Sequence, residues 1–287
     1  MPPQEPSPRN GDPGSDVCRL RYDFQGRSTP LCMNRCGGKD QVVRQIEAQG
    51  WRSYEAPLPV ILSQLVSCRP TVFLDIGANT GFYSLVAALA GAREIRAFEP
   101  VPFIADLLEA NIGHTLRDDR QRISVQRQAL SDQEGEASLH MPDQGHGLIE
   151  TSASLDPSFR RHHSDVFPVA VTTLDRHLER NPLPRQHHLV LKIDVENCED
   201  RVLRGGEASI ARLRPLIVAE ILPGADLTFY DDFLSRHRYR HFALKPPSQL
   251  VAMERIEASL HFRDHLLLPL EEDPRALLAN DGPPRES

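Results

Sequence analysis

Asp75-Ile76-Gly77-Ala78-Asn79-Thr80-Gly81 is the stretch on which the fold turns, because of what stands on either side of it. Before it runs Thr71-Val72-Phe73-Leu74, apolar and partly β-branched, which suits a strand buried on both faces. After it, Phe82 to Ala90 is rich enough in apolar helix formers for a packed helix. Gly77 and Gly81 bracket the turn between them. Glycine lets the backbone take positive φ and lets a ligand approach the main chain, while free N–H groups at the helix start face the ligand's anionic part. A second apolar run, Glu94-Ile95-Arg96-Ala97-Phe98, ends at Glu99. Roughly 20 residues past the glycines is where a carboxylate accepts both hydroxyls of a ribose.

The spacing is not that of a dinucleotide site. In G-x-G-x-x-G the second glycine makes room for a pyrophosphate, and here Asn79 fills that position. A cofactor with a ribose and a carboxylate but no pyrophosphate fits better, and S-adenosylmethionine is such a molecule. Glycines that serve only the packing of a strand-to-helix turn are the plain alternative, which the acidic residue at the right distance weakens.

From Thr71 onward strands and helices alternate. Strands are predicted over Thr71 to Asp75, Glu94 to Phe98, Arg122 to Arg127, His188 to Asp194, Leu216 to Ile221, Arg240 to Leu244 and Asp264 to Leu268. Helices fit Gly81 to Ala90, Pro102 to Ile112, Leu174 to Arg180, Cys198 to Ala208 or slightly beyond, and Leu227 to Arg236. Repeated β-α-β units predict an α/β fold, a mostly parallel seven-stranded sheet with helices on both faces, over residues 70–270. Residues 131–171 break the alternation. A turn at Asp132 to Gly135 and a short strand at Glu136 to His140 precede a polar Gly/Ser/His stretch, and so long an irregular insertion reads as a substrate loop or lid. Residues 17–69 read as a helical cap, with helices at Gln41 to Gln49 and Leu58 to Val66. Residues 1–16 are expected to be disordered and 271–287 to form a flexible tail, in which Ala276-Leu277-Leu278 docks weakly at most.

In an open parallel sheet, ligands sit at the carboxyl ends of the strands where strand order reverses. That selects Asp75, Glu99, Asp194 with Glu196, and Glu220. In Leu191-Lys192-Ile193-Asp194-Val195-Glu196-Asn197-Cys198-Glu199, alternation puts Lys192 and Asp194 on one side of the strand and its exit, with Glu196 leaving into the loop. Methyl transfer from a sulfonium is an in-line displacement, so the protein aligns acceptor, methyl carbon and sulfur and removes the acceptor's proton. Asp194 and Glu196 are the candidate bases, as carboxylates in a partly buried acidic site. The same pair could instead hold a divalent cation that polarises a hydroxyl. Glu196 or Glu199 could also simply cap the following helix. His140 and His146 are weaker candidates for the base.

The 287 residues carry 33 basic and 40 acidic side chains, a net charge of −7, which supplies no general field for nucleic acid. No apolar run reaches the roughly 18 residues of a membrane span, and the N-terminus has no apolar signal core, so a soluble, cytoplasmic protein is expected. Cys18, Cys32, Cys36, Cys68 and Cys198 are odd in number and scattered, which predicts reduced thiols. Cys18, Cys32 and Cys36 could give three thiolates to zinc, but a fourth ligand at regular spacing is missing, and no metal site is assigned. The pairs His162-His163 and His187-His188 read as surface residues.

With both motifs placed, the chain resembles the FkbM family of S-adenosylmethionine-dependent methyltransferases from about Thr71 to Pro269. The resemblance rests on DIGANTGFYSL from Asp75, AFEP from Ala97, ALSDQEGEASL from Ala129, VTTLD from Val171, LKIDVENCEDRVLRGG from Leu191 and RPLIVAEI from Arg214. It implies a class I methyltransferase, Rossmann-like fold. It also implies that Asp75, Gly77 and Gly81 line the methionine end of the cofactor with Asn79 in the same turn, that Glu99 holds the ribose, and that Ser131 and Asp132 lie beside the adenine. The implied reaction is O-methylation of a small hydroxylated acceptor such as a sugar, glycolipid or secondary metabolite. The alternatives are a nucleotide-binding protein without catalysis and a nicotinamide-dependent oxidoreductase. One departure stands out: the family usually reads K-I-D-V-E-G-x-E, and here Asn197 replaces the glycine, the non-glycine residue that best tolerates a left-handed backbone.

Overall fold

The computed structural model describes residues 16–142, 148–149, 152–159, 163–245 and 249–278. The chain opens with a hairpin, β1 (Val17–Phe24) and β2 (Arg27–Asn34), followed by helices α1 (Gln41–Gln49) and α2 (Leu58–Ser67). A first run of strands and helices follows: β3 (Thr71–Ile76), α3 (Phe82–Ala90), β4 (Glu94–Phe98), α4 (Pro102–Leu116) and β5 (Ile123–Gln126). Three strands come next, β6 (Ala129–Leu130), β7 (Gly135–Pro142) and β8 (His163–Thr172). Then run α5 (Leu174–Arg180), β9 (His188–Ile193), α6 (Glu199–Arg204), α7 (Glu207–Leu213), β10 (Leu216–Glu220) and α8 (Leu227–His237). The chain continues through β11 (Tyr239–Lys245), β12 (Gln249–Met253), β13 (Asp264–Pro269) and α9 (Pro274–Leu278).

The main sheet has eight strands in the order β12-β11-β13-β10-β9-β3-β4-β5. Strands β10, β9, β3, β4 and β5 are mutually parallel, and β13 runs antiparallel between β10 and β11. Order reverses between β3 and β9: the chain builds outward through β4 and β5, then returns to lay β9 and β10 on the other side of β3. The strands of the centre are apolar on both sides, as a sheet covered twice requires. Phe73, Val190 and Val218 face a core shared with α2, α3 and the hairpin, while Val72, Leu74, Leu191 and Ile217 face one shared with α5 to α8.

The predicted α/β architecture holds, with four differences. The sheet has eight strands rather than seven, because Gln249–Met253 pairs with β11 as an edge strand whose half-exposed residues give a weak apolar signal. The N-terminal cap is not helical alone. Cys18, Tyr22 and Phe24 turn inward along β1 while Arg19, Arg21 and Asp23 face outward, and Gln25 and Gly26, both at positive φ (48° and 71°), make the two-residue turn. The insertion is more regular than expected, since β8 pairs antiparallel with β7 and parallel with β6 in a separate three-stranded sheet. The predicted helix from Cys198 to Ala208 is two, α6 and α7, interrupted at Gly205 and Gly206.

In the tail, Leu277 is buried and Glu272 pairs with Arg69, so α9 is docked. The disorder expected for 1–16 falls outside the described residues except at Asp16, as does all of the tail beyond α9. The cap is fastened through α4. Thr115 exchanges hydrogen bonds with the main chain of Cys32 at 3.0 and 2.7 Å, and Asn111 accepts from Asn34 N–H at 2.7 Å. Asn111 also donates to the carbonyl of Thr80 at 2.8 Å, which ties the hairpin to the Gly77–Gly81 turn.

Candidate functional site

Four neighbouring parallel strands reach the rim where strand order reverses: β10 ends at Glu220, and Asp194, Gly77 and Glu99 directly follow the ends of β9, β3 and β4. Above that rim lies a cavity of about 640 Å³. Its floor is Gly77, Asn79, Glu99, Asp194, Glu196 and Glu220. Its walls come from elsewhere: Gln41 and Tyr54 to Ala56 of the cap, Ser152 to Leu155 of the insertion, and Leu260 to Asp264 ahead of β13.

The turn after β3 is fixed to both neighbours. Gly77 and Ala78 N–H donate to the carbonyl of Phe98 at 3.1 and 2.9 Å, and Asp194 N–H donates to that of Ile76 at 2.9 Å. Gly77 has φ 81°, and a Cβ there would lie 1.8 Å from the carbonyl oxygen of Asp194. Glycine is required at 77 by backbone touching backbone, which joins the two sequence motifs. Asn79, at φ 53°, keeps its side chain local by accepting from Thr80 N–H at 2.6 Å.

Glu99 is buried and its two oxygens accept from Asn79 N–H at 3.0 Å and Val101 N–H at 2.8 Å. Burial pushes its carboxyl up to about 7, with the two backbone donors pulling the other way. Each oxygen keeps a further lone pair for a ligand hydroxyl.

Asp75 and Gly81 stand below the turn rather than on the cavity. Asp75 is fully buried, accepts from the Ser84 hydroxyl at 2.6 Å and faces Lys192. Gly81, at φ 95°, begins α3 against Leu108. Ser131 and Asp132 bond to each other, hydroxyl to carboxylate at 3.1 Å, and do not line the cavity; Ala129 and Leu130 just before them do.

Asp194 accepts from the Lys192 ammonium at 2.9 Å. Burial works against the Lys192 charge, but Asp194, Asp75 and Glu55 outweigh it and hold its ammonium on the high side of the usual range. Glu196 and Asn197 both have positive φ, 56° and 73°, so the chain leaves β9 through a left-handed turn that asparagine accommodates in place of glycine. The Glu196 carbonyl accepts from Ser154 of the insertion at 2.6 Å, which lays that segment over the site. Neither Glu199 nor Glu196 caps α6 as foreseen: Cys198 is the N-cap and no side chain caps the helix, while Glu199 ties down the loop before it. It is buried at the start of α6, accepts from Val195 N–H at 2.9 Å, and is pushed by burial up to about 8.

Sequence reasoning missed the far wall. Glu55 accepts from the Tyr83 hydroxyl at 2.7 Å and from Arg263 at 3.3 Å, and Arg263 also pairs with Glu220 at 2.9 Å. Burial, then Asp194 and Glu196, push Glu220 up to about 10, with Arg263 opposing. Burial and acidic neighbours likewise raise Glu55 and Asp264. Neither Glu55 nor Arg263 sits in a motif; only the chain's path through space brings them to the site.

Among the described residues, no three His, Cys, Asp or Glu side chains converge as a metal set, and Lys192 and Arg263 already sit among the carboxylates. The five cysteines are free, Cys18 and Cys32 buried in the hairpin. His140 lies on β7; His146 and His162 lie outside the described residues, as does the side chain of His163, while His187 is half-buried and His188 exposed. No helix among the described residues is long and apolar enough to cross a membrane.

The family model described as Methyltransferase FkbM domain matches residues 75–241, more than half of the chain. No curated protein matches it. Among solved structures, the FkbM methyltransferase of Methylobacillus flagellatus is 15% identical with a TM-score of 0.45 over 69% of this chain, and the chain spans only 43% of that protein. The O-methyltransferase TomG of Streptomyces achromogenes, solved with S-adenosylmethionine, is 10% identical with a TM-score of 0.45, covering 81% of this chain and 88% of its own. An O-methyltransferase from Bacillus cereus is 12% identical with a TM-score of 0.43, covering 79% and 87%. At these identities and scores the likeness bears on neither reaction nor acceptor.

Proposed function

We propose, because the chain belongs to the methyltransferase FkbM domain family, that it transfers a methyl group from S-adenosylmethionine to a hydroxyl of a small acceptor, a sugar, glycolipid or secondary metabolite. The observation that carries this reading is one cavity of about 640 Å³ in which Glu99 and the Gly77–Asn79 turn stand on one side and Asp194, Glu196 and Glu220 on the other. That volume is in the range of small-molecule sites. The residues present fit the cofactor: a buried carboxylate with free lone pairs suits the ribose hydroxyls, and Ala129, Leu130 and Leu139 offer an apolar wall to a base. Bound S-adenosylmethionine would supply an electrophilic methyl group on a sulfonium.

The chain's own contribution is placement and proton handling. Glu99 holds the ribose and, through Asn79 and Val101, makes the turn part of the same rigid unit. Gly77 and Asn79 present backbone at the methionine end, while Asp75 and Gly81 support that backbone from beneath. Lys192 fixes one oxygen of Asp194, leaving the other free to accept the hydroxyl proton, and Glu196 stands in the same turn as the second candidate base. Ser152 to Leu155 and the Leu260 to Phe262 segment close the cavity against water. The acidic lining disfavours phosphate-bearing acceptors, which supports a small molecule over nucleic acid.

The test is calorimetric titration with S-adenosylhomocysteine, with NAD as control. Binding of the first alone is expected; binding of NAD instead, or of neither, would sink the reading.

A further inference from the structure

Among the described residues, the acceptor side of the cavity is lined by more carboxyl groups than cations. Glu55, Asp194, Glu196, Glu220 and Asp264 line it, against Arg263 on the lining and Lys192 just behind. Glu99 belongs to the cofactor side, and Lys192 is committed to Asp194. Arg263 is shared, Nη1 to Glu220 at 2.9 Å and Nη2 to Glu55 at 3.3 Å.

Glu220 and Asp264 keep carboxyl oxygens that meet no donor among the described residues. Glu220 is 6% exposed, gives Oε1 to Arg263, and has no partner for its other oxygen among the described residues. Asp264 has neither a hydrogen bond nor an ion pair through its side chain among the described residues. The two face each other directly, since Glu220 pairs with Asp264 in the register of β10 and β13. Two carboxyls opposite each other on adjacent strands cannot both ionise without a cation between them, and burial adds to that cost. S-adenosylmethionine, with an ammonium, a carboxylate and a sulfonium, offsets one negative charge at most and belongs at the Glu99 side. Tyr54 and Phe262 add aromatic surface to the same cavity, and the Lys245 ammonium standing 4.4 Å over the Phe262 ring shows that this surface accepts a cation.

We propose, resting on the reading of this cavity as a methyl-transfer site, that the acceptor is a hydroxylated molecule bearing a protonated amine, whose ammonium is held between Glu220 and Asp264. Its three N–H donors match the unfilled oxygens, and its charge lets the pair ionise where burial and acidic neighbours otherwise favour the protonated carboxyls. The hydroxyl to be methylated then lies toward Asp194 and Glu196.

The test uses the whole protein saturated with S-adenosylhomocysteine and three probes that share a ring: glucosamine, glucose and glucuronate. Glucosamine is expected to bind at least about tenfold more tightly than glucose, with glucuronate weakest. Glu220→Gln and Asp264→Asn should each remove that preference while leaving affinity for S-adenosylhomocysteine unchanged. Neither substitution breaks a contact of the cofactor side, and the amide that replaces the Glu220 carboxylate still offers an oxygen to Arg263. Glucose binding as tightly as glucosamine, glucuronate binding best, a preference that survives in both variants, or no binding by any probe would overturn the proposal. Failure of the methyl-transfer reading shows separately, as absent binding of S-adenosylhomocysteine in the first titration.

Discussion

The carbonyl oxygen of Asp194 stands 1.8 Å from where a β-carbon on Gly77 would be. The turn that faces the cofactor and the loop that carries the candidate base are thus in main-chain contact, and neither can move without the other.

Gly77→Ala should therefore cost on the order of 2–5 kcal/mol, from a left-handed φ and from backbone that cannot give way. Gly91, at φ 106° with nothing within 4 Å of its would-be Cβ, is the control. Its alanine variant should lose only about 1–2 kcal/mol. Urea denaturation of the pair checks this, and equal losses would argue against the close contact.

Asn197, at φ 73°, has a buried side-chain oxygen without a partner. Asn197→Gly should be neutral or stabilising by about 1 kcal/mol, since it removes both the backbone strain and the unmet acceptor. Asn197→Val should destabilise by about 1–2 kcal/mol. Thermal melts of the two variants provide the measurement, and a glycine variant less stable than the valine one would contradict it.

The position of Glu99 sets a pH dependence. Its folded carboxyl is raised from 4.5 to about 7, so the empty protein holds the proton in between. Its contribution to stability is fully present below about 4.5 and is lost as pH rises through about 7. Ribose binding needs the ionised form, so affinity for S-adenosylhomocysteine should rise about tenfold per unit on approaching that pH from below and level off above it. In Glu99→Gln, binding should be weaker and this part of the pH profile flat. A profile identical to that of the parent would remove Glu99 from the cofactor site.

Lys192 is buried and faces Asp194, Asp75 and Glu55. Lys192→Met should destabilise by about 3–5 kcal/mol, because it leaves buried carboxylates without their cation. Asp194→Asn keeps an oxygen for Lys192, so the fold should hold while methyl transfer falls about 100-fold and cofactor affinity stays put. Turnover and calorimetry on the same sample separate these effects; full activity in the asparagine variant would exclude Asp194 as base.

Much of the main sheet was legible because its strands are short apolar runs ended by glycine or acid, and a doubly covered parallel sheet leaves that trace. The floor of the cavity was legible for the same reason: Gly77, Glu99 and Asp194 stand where such runs stop. Edge strand β12 was not, since none of its residues is buried and no alternation marks an inward face. The hairpin could have been found from the inward Cys18, Tyr22 and Phe24 and the Gln25-Gly26 turn, a period of two that the intervening arginines mark clearly. Strand β8 gave little signal because alternate residues such as Val166, Pro168 and Ala170 are exposed in spite of being apolar. Glu55 and Arg263 lie 208 positions apart and meet only because the segments leading into α2 and β13 converge, a relation no local pattern encodes.

The cavity's floor and its walls come from separable parts of the chain. The floor is made by strand ends whose side chains are also core, so a substitution there disturbs the sheet and the cofactor together. The walls at 41–56, 152–155 and 260–263 hang on the cap, the small sheet and one loop. New acceptors can be accommodated by rewriting those three segments while the parts that hold the methyl donor stay as they are.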